Sequence, residues 1–583
     1  MQRPLTAASI LSEERCREID GWHGATSHGA ASAGAGTMLV SIFNDVLGPV
    51  MRGPSSSHCA AALRIGRLAR DLLDGDVRDV LVEFDRGGSL PTTHDSQGSD
   101  MGLFGGLLGW DAADTRLPGA PQAFVAAGGS YRIETVDAGD PHPNTYRLTV
   151  ANDRERHSLR AISTGGGMIE VLDIDGATVS LHGDWTETLV WIQPGPAAAE
   201  AAAQVMRHIR GTMRRIRGAE PDAIGLENVL VHVARGTTIV QVTACELLPP
   251  AIVARLISDG LASRVRVLRP VLPVRSCPGM GVPFRSAAEM FAHDAGRGTP
   301  LWRLAIEYER LRGGLTEEQV LELMRGIVRV LRESLATGLA GTSYPDRVLP
   351  AQSPAYVAAL AAGRLLDAGA LNRVVAAVAA FMEVKSSMGV IVAMPTAGAC
   401  AALPGAVIAM AEAMGLGEEE MARAFLASGL IGVFIATRFS FAAEVGGCQA
   451  EGGSAAAMAA AALVTMAGGT LDESLAAASL ALQSMIGLIC DPVANRVEAP
   501  CLGKNVMAAA NAVCCANMAL SGFDPLIPFD EVIDTAKRVA EQMPRELRCT
   551  ALGGLSITPT SLAIQRRLEA AAGACGRGGC GCH

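Results

Sequence analysis

Three cysteines in the second half of the chain have neighbours that suit a metal ligand better than an apolar core. Cys448 lies in GGCQAEGG, Cys490 in LICDPV and Cys501 in APCLGKN, so each has glycine or proline close by. A thiolate ligand is expected where a helix begins or ends, because free backbone N–H groups there can face the sulfurs of a cluster. The spacing of these cysteines fits metal ligands and ordinary buried thiols alike.

Three thiolate ligands would suit one demanding reaction. The α-proton of an amino acid is weakly acidic and hydroxide is a poor leaving group, so a β-elimination needs positive charge at the carboxylate and acid at the hydroxyl. A [4Fe-4S] cluster that is held by three cysteines leaves one iron without a protein ligand, and such an iron can serve both needs as a Lewis acid. In this hypothesis the open iron is the atom that acts on the substrate.

The elements that must position these residues differ between the two halves of the chain. The segment GPSSSHCAAALRIGRLARDLL predicts a helix whose N-terminus carries Ser55, Ser56 or Ser57. The strand-like segments VRDVLVEFD, TYRLTV and RHSLRAIST follow, separated by Gly, Pro and Asp. Residues 37–182 are therefore predicted to form an α+β domain.

The rest of the chain changes character twice. Residues 183–276 show the order strand, helix, strand, strand, helix, strand, which is typical of a ferredoxin-like unit. Residues 277–570 consist mostly of Ala-, Leu- and Met-rich helical patterns with short glycine-bearing breaks. The fold class that we predict is a multidomain α+β protein with a mostly α-helical C-terminal domain.

Bulk composition argues against several classes of protein. The formal net charge of −10 and the lack of a basic run argue against a nucleic-acid partner, and no secretion signal is evident at the N-terminus. The uncharged run from Ser386 to Ala411 is broken by proline, and the run from Gly452 to Leu471 fits a core helix, so no membrane segment is expected. Residues 1–36 are interpreted as a flexible leader. We expect a cytoplasmic protein whose 14 cysteines are reduced rather than paired in a disulfide framework.

Eight motifs in order along residues 38–563 carry a family resemblance. They are GPVMRGPSSSH, SDMGLFGGLLG, DPHPNTYRL, STGGGMI, SMGVIVAMPTAGACAALPG, EVGGCQAEGGSAAAMAAAAL, CDPVANRVEAPC and TALGGLSITPT. Together they resemble the iron-sulfur L-serine dehydratases, with a β-like part fused ahead of an α-like part. The resemblance implies that Cys448, Cys490 and Cys501 hold a [4Fe-4S] cluster and that L-serine is converted to pyruvate and ammonia without pyridoxal phosphate.

The same resemblance implies a substrate site in the first half of the chain. Its PSSSH segment places Ser55, Ser56 and Ser57 at a helix start that suits a carboxylate, with a plain N-cap as the alternative. His58 is a candidate general base or an orienting residue, and Ser57 is grouped with it as catalytic. Further substrate-binding candidates are His94, Asp100, His142, Asn144, Thr396, Ala397 and Gly398. The competing interpretation of His94 and Asp100 is a surface loop, and that of His142 and Asn144 is a simple turn. For Thr396, Ala397 and Gly398 the alternative is a purely structural role in close packing.

Some positions depart from the family pattern. Cys59 replaces a usual threonine, Lys385 replaces a short neutral residue, and Leu502, Gly503 and Lys504 stand where an acidic and a basic residue are common. These changes leave open the same lyase chemistry on L-threonine, L-cysteine or another β-substituted amino acid. A non-catalytic amino-acid or redox sensor is the alternative of a different class.

Two further segments carry separate hypotheses. Residues 183–276 resemble an ACT domain, for which we expect a dimer-forming or spacer role, or else effector binding, and hence a homodimer. The tail at 571–583 ends in Cys580-Gly581-Cys582-His583, and Cys582 is a possible capping ligand for the open iron. A disordered tail or adventitious metal capture is the competing interpretation.

Overall fold

A computed structural model of the chain describes residues 39–193, 198–216, 225–234, 236–344 and 347–577. The chain from Val40 onward groups into one unit. The predicted leader at 1–36 lies outside the described residues, and so does Cys582 at the end of the predicted tail.

The first part of the chain is built on a sheet whose strands alternate buried and exposed residues. After the short strand β1 (Val50–Arg52), the sheet comprises β2 (Asp79–Asp85), β3 (Ser130–Val136), β4 (Thr145–Ala151), β5 (Arg156–Gly165), β6 (Met168–Ile174) and β7 (Ala177–Leu181). The six strands have the order β3-β2-β4-β5-β6-β7, with β2 and β3 parallel and the other neighbours antiparallel. The alternation gives the sheet one apolar face.

Helices cover that apolar face. They are α1 (Ala61–Leu72), α2 (Leu90–Thr93), α3 (Ser99–Leu107) and α4 (Ala120–Ala126). Helix α1 packs on β5 and β6, and α3 packs on α1. The α+β character that the sequence predicts for this part is confirmed.

Glycines allow α1 and α3 to pack closely. A Cβ atom on Gly102 would lie 2.1 Å from the carbonyl oxygen of Cys59, and one on Gly106 would lie 2.1 Å from that of Leu63. No side chain fits at such a distance, so the glycines of the SDMGLFGGLLG motif are required by packing. This contact fixes the start of α1, where the serine-rich segment lies.

The middle part contains the predicted order of strands and helices. Its elements are β8 (Thr186–Ile192), α5 (Ala198–Ile216), β9 (Leu226–Ala234), β10 (Thr237–Ala244), α6 (Pro250–Ser258) and β11 (Arg264–Leu268). The four strands are antiparallel throughout in the order β11-β8-β10-β9. Apolar side chains of α5 and α6, such as Val205 and Leu256, pack on this sheet and form its core.

The remainder of the described chain is helical apart from the short strand β12 (Val390–Val392), as predicted. Its first helices are α7 (Ala287–Asp294), α8 (Leu301–Gly313), α9 (Glu317–Ala340), α10 (Ser353–Ala361), α11 (Ala370–Ser386), α12 (Ala402–Met414) and α13 (Glu418–Arg438). They are followed by α14 (Ala443–Gly446), α15 (Ser454–Met466), α16 (Leu471–Gln483), α17 (Cys501–Leu520), α18 (Phe529–Gln542) and α19 (Pro559–Arg577).

Helix α15 is the centre of the helical part. Residues 455–462 are fully buried, and α12, α13, α16 and α17 all pack around them. Alanine side chains let these neighbours come close, which explains the alanine-rich composition of the segment. The run from Gly452 to Leu471 therefore contains a core helix, as the sequence predicts.

Within the described residues, one helix is long and apolar enough to cross a membrane by length and composition, and it is α13. Most of its apolar stretch is buried inside the protein, as in the core helix of a globular fold. The run from Ser386 to Ala411 is divided between the end of α11, β12 and the start of α12, which agrees with its predicted breakage at proline.

A strand pairing and a buried carboxylate are among the contacts that join the first part to the helical part. Strand β1 pairs with β12 in an antiparallel ladder that places Val50 opposite Val392. The buried Glu309 carboxylate accepts hydrogen bonds from Ser41 Oγ at 2.5 Å and from the Ile42 N–H at 2.8 Å. The serine-rich helix start is thereby held against the helical part.

One pair of cysteines corrects the expectation that all thiols are free. Cys245 and Cys277 form a disulfide with an S–S distance of 2.05 Å. The pair joins the end of β10 to the segment that leads into the helical part. The other cysteines whose state is described, Cys59, Cys400, Cys448, Cys490, Cys501, Cys514, Cys515 and Cys549, are free.

Candidate functional site

The three cysteines that the sequence singled out converge in the helical part. All are buried. The thiols of Cys448 and Cys490 are in hydrogen-bonding contact. Cys501 lies close enough to Cys448 for their charges to interact. Three separate segments therefore deliver one group of thiols.

Cys448 is held by a turn that requires glycine. The preceding Gly447 has a φ of +69°, and a Cβ atom there would lie 2.9 Å from the carbonyl oxygen of Leu488. Cys448 itself precedes a π-helical turn, Gln449–Gly453, that continues into α15. The Gln449 N–H donates to Leu488 O at 2.9 Å, which ties this turn to the segment of Cys490.

The other two cysteines are fixed by hydrogen bonds of their surroundings. Cys490 lies in the loop between α16 and α17, and its N–H donates to Leu547 O at 2.9 Å. Cys501 is the first residue of α17. Four residues later, the Asn505 amide donates to the Cys501 carbonyl at 2.9 Å and to the Gly398 carbonyl at 2.8 Å. Each cysteine lies at a helix end or in a loop, as a ligand requires.

The thiols prefer their neutral form when no cation is present. Burial raises the pKa of Cys501 to about 12. The contact with Cys490 and burial together raise the pKa of Cys448 well above its usual value. A metal ligand must be a thiolate, so binding a cationic cluster has to supply the charge that deprotonates them.

Lys504 is the cation nearest to Cys448 for which a contact is observed. Its Nζ donates to Asp491 Oδ1 at 2.6 Å and to Ile489 O at 2.7 Å, and it lies 3.7 Å from Cys448 Sγ. Burial acts to lower the pKa of Lys504, but the charge of Cys448 and the bond to Asp491 outweigh burial and raise it. Lys504 therefore remains an ammonium beside the thiols.

A fourth cysteine joins the group although the sequence analysis overlooked it. Cys549 packs against Cys448 and Cys490, and its thiol is in hydrogen-bonding contact with that of Cys490. Its flanking residues, Arg548 and Thr550, give no glycine or proline signal. The one available hint was that it directly precedes the TALGGLSITPT motif.

The serine-rich segment begins a helix, as predicted. Ser56–Ala60 form a π-helical turn that runs into α1, with Ser55 at its N-cap. The His58 ring is hydrogen-bonded on both sides, through Nδ1 to Ser55 Oγ at 3.0 Å and through Nε2 to Thr93 Oγ1 at 2.8 Å. Burial lowers the pKa of His58 to about 3, so the imidazole is neutral.

His94 and Asp100, two of the predicted substrate-binding residues, form a pair. His94 Nδ1 lies 2.8 Å from Asp100 Oδ1. Burial acts to lower the pKa of His94, but the hydrogen bond and the charge of Asp100 outweigh it and raise the pKa. The charge of His94 in turn acts on His58, so the two imidazoles belong to one neighbourhood.

The HPNT segment is pinned to the loop before α2. The Asn144 side-chain oxygen accepts a hydrogen bond from Ser89 Oγ, and the Asn144 N–H donates to His142 Nδ1 at 3.2 Å. The buried Asn144 side chain also acts on Glu444: burial raises the pKa of Glu444, and a hydrogen bond from Asn144 lowers it in part.

The Thr396-Ala397-Gly398 turn connects both halves of the site. The Ala397 N–H donates to Ser56 Oγ at 3.1 Å, and Thr396 Oγ1 donates to Glu451 Oε1 at 2.7 Å. Burial raises the pKa of Glu451 to about 7. A Cβ atom on Gly398 would lie 2.8 Å from Glu451 Oε1, so a larger residue here would require the Glu451 carboxyl to move.

The loop after Cys490 also reaches the first part of the chain. Asn495 Nδ2 donates to Thr92 O at 2.9 Å, and Gln97 Nε2 donates to Asn495 Oδ1 at 3.4 Å. The CDPVANRV motif therefore meets the THDSQGSD segment. This contact explains why motifs far apart in sequence belong to one site.

A cavity of about 460 Å³ opens between the two halves. Its walls include Ser89, Thr93, Glu444 and Cys549. Arg86, Arg545 and Arg548 also line it, together with Asp140. Thr93, whose hydroxyl is hydrogen-bonded to His58, and Cys549, whose thiol is hydrogen-bonded to Cys490, therefore line the same cavity. The cavity is large enough for a small amino acid.

The donor set consists of buried thiols. In the described residues, no three His, Cys, Asp or Glu side chains converge as ligands of one metal ion. The ligands of an iron–sulfur cluster bind different iron atoms, so they need not converge on one point. Thiolate is the ligand type that iron–sulfur clusters take. Buried thiols from four segments, with an ammonium beside them, match that chemistry.

The predicted site residues divide by location. The structure brings together those of the serine-rich segment, the Thr396 turn and the three cysteines, while His142 and Asn144 lie in the HPNT segment behind Ser89. Cys582 cannot be placed, because it lies outside the described residues. Sequence reasoning missed Thr93, Glu444, Glu451 and Cys549, whose roles depend on contacts between distant segments.

The chain is similar to several known proteins. A family profile described as "Serine dehydratase alpha chain" matches residues 296–556. Over 253 residues the chain is 38% identical to "Probable L-serine dehydratase, alpha chain" of Bacillus subtilis (strain 168), covering 43% of this chain and 84% of that relative. Over 271 residues it is 35% identical to "L-serine dehydratase, alpha chain" of Peptoniphilus asaccharolyticus, covering 46% of this chain and 93% of that relative. "Probable L-serine dehydratase, beta chain" of B. subtilis is 40% identical over 146 residues, covering 25% of this chain and 66% of that relative.

Proposed function

From the premise that this chain belongs to the serine dehydratase family of lyases, we propose that it converts L-serine to pyruvate and ammonia with a [4Fe-4S] cluster. Water is eliminated first, and the resulting aminoacrylate becomes an imine that water hydrolyses. No pyridoxal phosphate is required. One observation carries the proposal: the thiols of Cys448, Cys490 and Cys501 lie beside a turn that is hydrogen-bonded to the serine-rich helix start.

Cys448, Cys490 and Cys501 would hold the cluster. When bound, the cluster supplies Lewis acidity toward the substrate carboxylate and hydroxyl. Lys504 keeps a positive charge 3.7 Å from Cys448 Sγ and so favours the thiolate. The arginines of the cavity add positive charge that attracts a carboxylate.

The serine-rich segment would bind and orient the substrate. Ser56 Oγ already accepts a hydrogen bond from the Ala397 N–H. Ser57 Oγ makes no hydrogen bond in the described part of the chain, so it is available to a substrate group. The buried Asn144 amide lies near Glu444 of the cavity wall and offers a further donor at the same side. His94 is paired with Asp100 in the same neighbourhood, and its raised pKa favours the protonated ring.

His58 is better suited to orienting hydroxyls than to removing a proton. Both ring nitrogens are occupied by Ser55 and Thr93. A pKa of about 3 also makes the ring a weak base. Replacing His58 by Gln should lower kcat/KM while leaving the shape of its pH profile unchanged. Loss of one limb of that profile would instead identify His58 as the base.

Departures from the family pattern do not line the substrate cavity. Cys59, Lys385, Leu502 and Lys504 are absent from its walls as the structure describes them. Lys385 is buried, donates to Val497 O and acts on the charges of Cys501 and Glu451. Of these residues, Lys385 and Lys504 lie near the thiols, so they act on the proposed cluster ligands rather than on the cavity.

The remaining predictions stand as proposals of the same kind. We propose domains at 37–182, 183–276 and 277–570, between a leader at 1–36 and a tail at 571–583. The middle domain is proposed to be ACT-like and to support a homodimer, a role to which its antiparallel β11-β8-β10-β9 sheet is suited. The protein is proposed to be cytoplasmic, without a membrane or nucleic-acid partner.

An anaerobic assay tests the function. Protein purified without air is expected to be brown, to contain iron and sulfide, and to form pyruvate from serine. L-Threonine and L-cysteine should react more slowly. Product from neither serine, threonine nor cysteine would favour a sensor, and preference for either of the last two would reassign the substrate.

Substitution of one ligand tests the cofactor. Cys490→Ser should abolish both the brown absorbance and turnover, because serine is a poor replacement for a thiolate at iron. Cys514→Ser is the matched control, since Cys514 is free and exposed. Iron-free, colourless wild-type protein with full activity would refute the proposal.

A further inference from the structure

Cys549 occupies a distinct place among the thiols. Cys448, Cys490 and Cys501 are almost completely buried, whereas Cys549 is only partly buried. It contacts Cys490 on one side and lines the substrate cavity on the other. Cys549 is therefore the thiol that lies between the proposed ligands and the proposed substrate.

Its position is fixed by the loop that carries it. Leu547 O accepts a hydrogen bond from the Cys490 N–H at 2.9 Å, and the Leu555 N–H donates to Asp491 Oδ2 at 3.0 Å. Ser556 Oγ further donates to Pro492 O at 2.8 Å. The loop is thus bound to the Cys490 segment both before and after Cys549.

The backbone of the loop also follows an unusual course. Cys549 has a φ of +23° and Ala551 a φ of +57°, values that residues with side chains rarely adopt. A Cβ atom on Gly554 would lie 2.6 Å from the Cβ of Asp491, so the loop lies directly on the segment of Cys490. Contacts on both flanks maintain this conformation and keep the Cys549 thiol beside that of Cys490.

We infer that Cys549 is a fourth, exchangeable sulfur ligand of the cluster, which occupies the open iron until the substrate displaces it. This inference rests on the proposed function. It assigns the position to an internal cysteine that is held in place, rather than to the cysteine-bearing tail. The free enzyme would then hold its cluster with four thiolates and react only after one of them leaves.

The exchange involves no oxidation or reduction. When the bond forms, the Cys549 thiol releases its proton to solvent through the cavity, and its sulfur donates an electron pair to iron. When serine binds, an oxygen of serine donates in its place, the iron–sulfur bond breaks and Cys549 takes up a proton. Partial exposure of Cys549 gives it room to move away, which Cys448, Cys490 and Cys501 lack.

Mössbauer spectroscopy of isotope-enriched iron tests the assignment without relying on turnover. In wild-type protein without substrate, all irons should show sulfur coordination, and serine should shift the signal of one of them. Cys549→Ser should retain the full iron and sulfide content but show one oxygen-coordinated iron before serine is added. It should also lower the KM for serine, because the competing ligand is gone.

Two variants locate the ligand. Cys582→Ser should leave the wild-type spectrum unchanged, and so should Cys514→Ser. A unique iron in Cys582→Ser, with no change in Cys549→Ser, would assign the position to the tail and overturn the inference. A unique iron already present in the wild type would overturn it as well.

Failure of the inference can be told from failure of the proposed function. If wild-type protein contains the cluster and forms pyruvate while Cys549→Ser has the same spectrum, only the role of Cys549 is wrong. If wild-type protein binds no cluster, the proposed function itself fails. A Cys549→Ala variant guards against coordination by the introduced serine, and it should show the same unique iron.

Discussion

The candidate site has two sides that hold buried polar groups in opposite ways. The thiol side consists of Cys448, Cys490, Cys501 and Cys549. The hydroxyl side consists of Ser55, Ser56, His58 and Thr93. On the thiol side the polar atoms contact one another, and burial raises their pKa values, so that an added cation has to organise them. On the hydroxyl side the His58 ring and Ser56 Oγ are already satisfied by partners in the protein.

This difference predicts how each side should respond to substitution of its residues. A cluster needs all of its permanent protein ligands, so loss of the Cys448, Cys490 or Cys501 thiol removes the organising group together with its chemistry. A hydrogen bond between neutral groups contributes about 1 kcal/mol, so a lost hydroxyl should weaken the site in proportion. We therefore expect all-or-none losses at these three cysteines and graded losses on the hydroxyl side.

The largest effect is expected from Cys501→Ser. Iron and turnover should both fall to background, because the N-terminal position of α17 would no longer offer a thiolate. Cys515→Ser is the matched control, since Cys515 is a buried thiol on the same helix whose neighbour is Asn511. Iron and sulfide analysis of air-free protein measures the difference. Equal iron in both variants would contradict the predicted division between the sides.

A smaller loss is expected from Lys504→Gln. The change removes the bond to Asp491, and losing a charged hydrogen bond at a mostly buried site should cost about 2 kcal/mol of unfolding free energy. Because the pKa of Lys504 is raised, this contribution is present at neutral pH and is lost only as the pH rises through that raised value.

Urea unfolding of the cluster-free protein measures the effect of Lys504 on stability alone. Lys504→Arg should restore part of the loss, and the exposed Lys537→Gln should change little. In the cluster-loaded protein, Lys504→Gln should also make the cluster harder to reduce, since a positive charge near Cys448 is gone. An unchanged reduction potential would show that Lys504 serves the fold and not the thiol side.

The pair of His94 and Asp100 provides a test of pH dependence next to the hydroxyl side. Its raised pKa means that the stabilisation is present below the ordinary histidine value of about 6.5 and is lost as the pH rises through the raised value. Asp100→Asn should therefore destabilise the protein by about 1 kcal/mol more at acidic pH than at alkaline pH. Asp153→Asn, at an exposed carboxylate in the turn between β4 and β5, is the control. A pH-independent difference would contradict the pairing.

The sequence was informative where local chemistry determines position. Glycine or proline near Cys448, Cys490 and Cys501 marked them as ligand candidates, and each lies at a helix end or in a loop. Apolar periodicity likewise indicated the strand and helix order of the middle part. The pairing order β11-β8-β10-β9 is observed only in the structure, because it depends on which strands meet.

The sequence was silent where function depends on contacts between distant segments. Nothing beside Cys549 distinguishes it from a core thiol, because its place is determined by hydrogen bonds from Leu547 and Leu555 to the Cys490 segment. Thr93 is likewise ordinary in sequence, and only folding brings its hydroxyl to His58. The disulfide between Cys245 and Cys277 was missed for the same reason.

The smallest effect, and the sharpest test of the comparison, is expected from Ser56→Ala. The variant leaves the buried Ala397 N–H without its acceptor at a cost of about 1 kcal/mol, which corresponds to about a fivefold rise in the KM for serine. Iron content and the absorbance of the cluster should remain those of the wild type. Ser57→Ala is the companion variant, and it should raise KM without loosening the turn at Ala397.

The same variant can contradict the predicted difference between the thiol side and the hydroxyl side. The Ala397 turn is joined through Gly398 and Asn505 to the carbonyl of Cys501, so a disturbance at Ser56 has a short route to the thiols. If Ser56→Ala loses iron, the two sides form one cooperative unit. Substitutions on the hydroxyl side would then not cause only graded losses. If it retains iron while KM rises, the rigid Asn505 contacts isolate the thiol side, and substrate affinity can be altered without affecting the cluster.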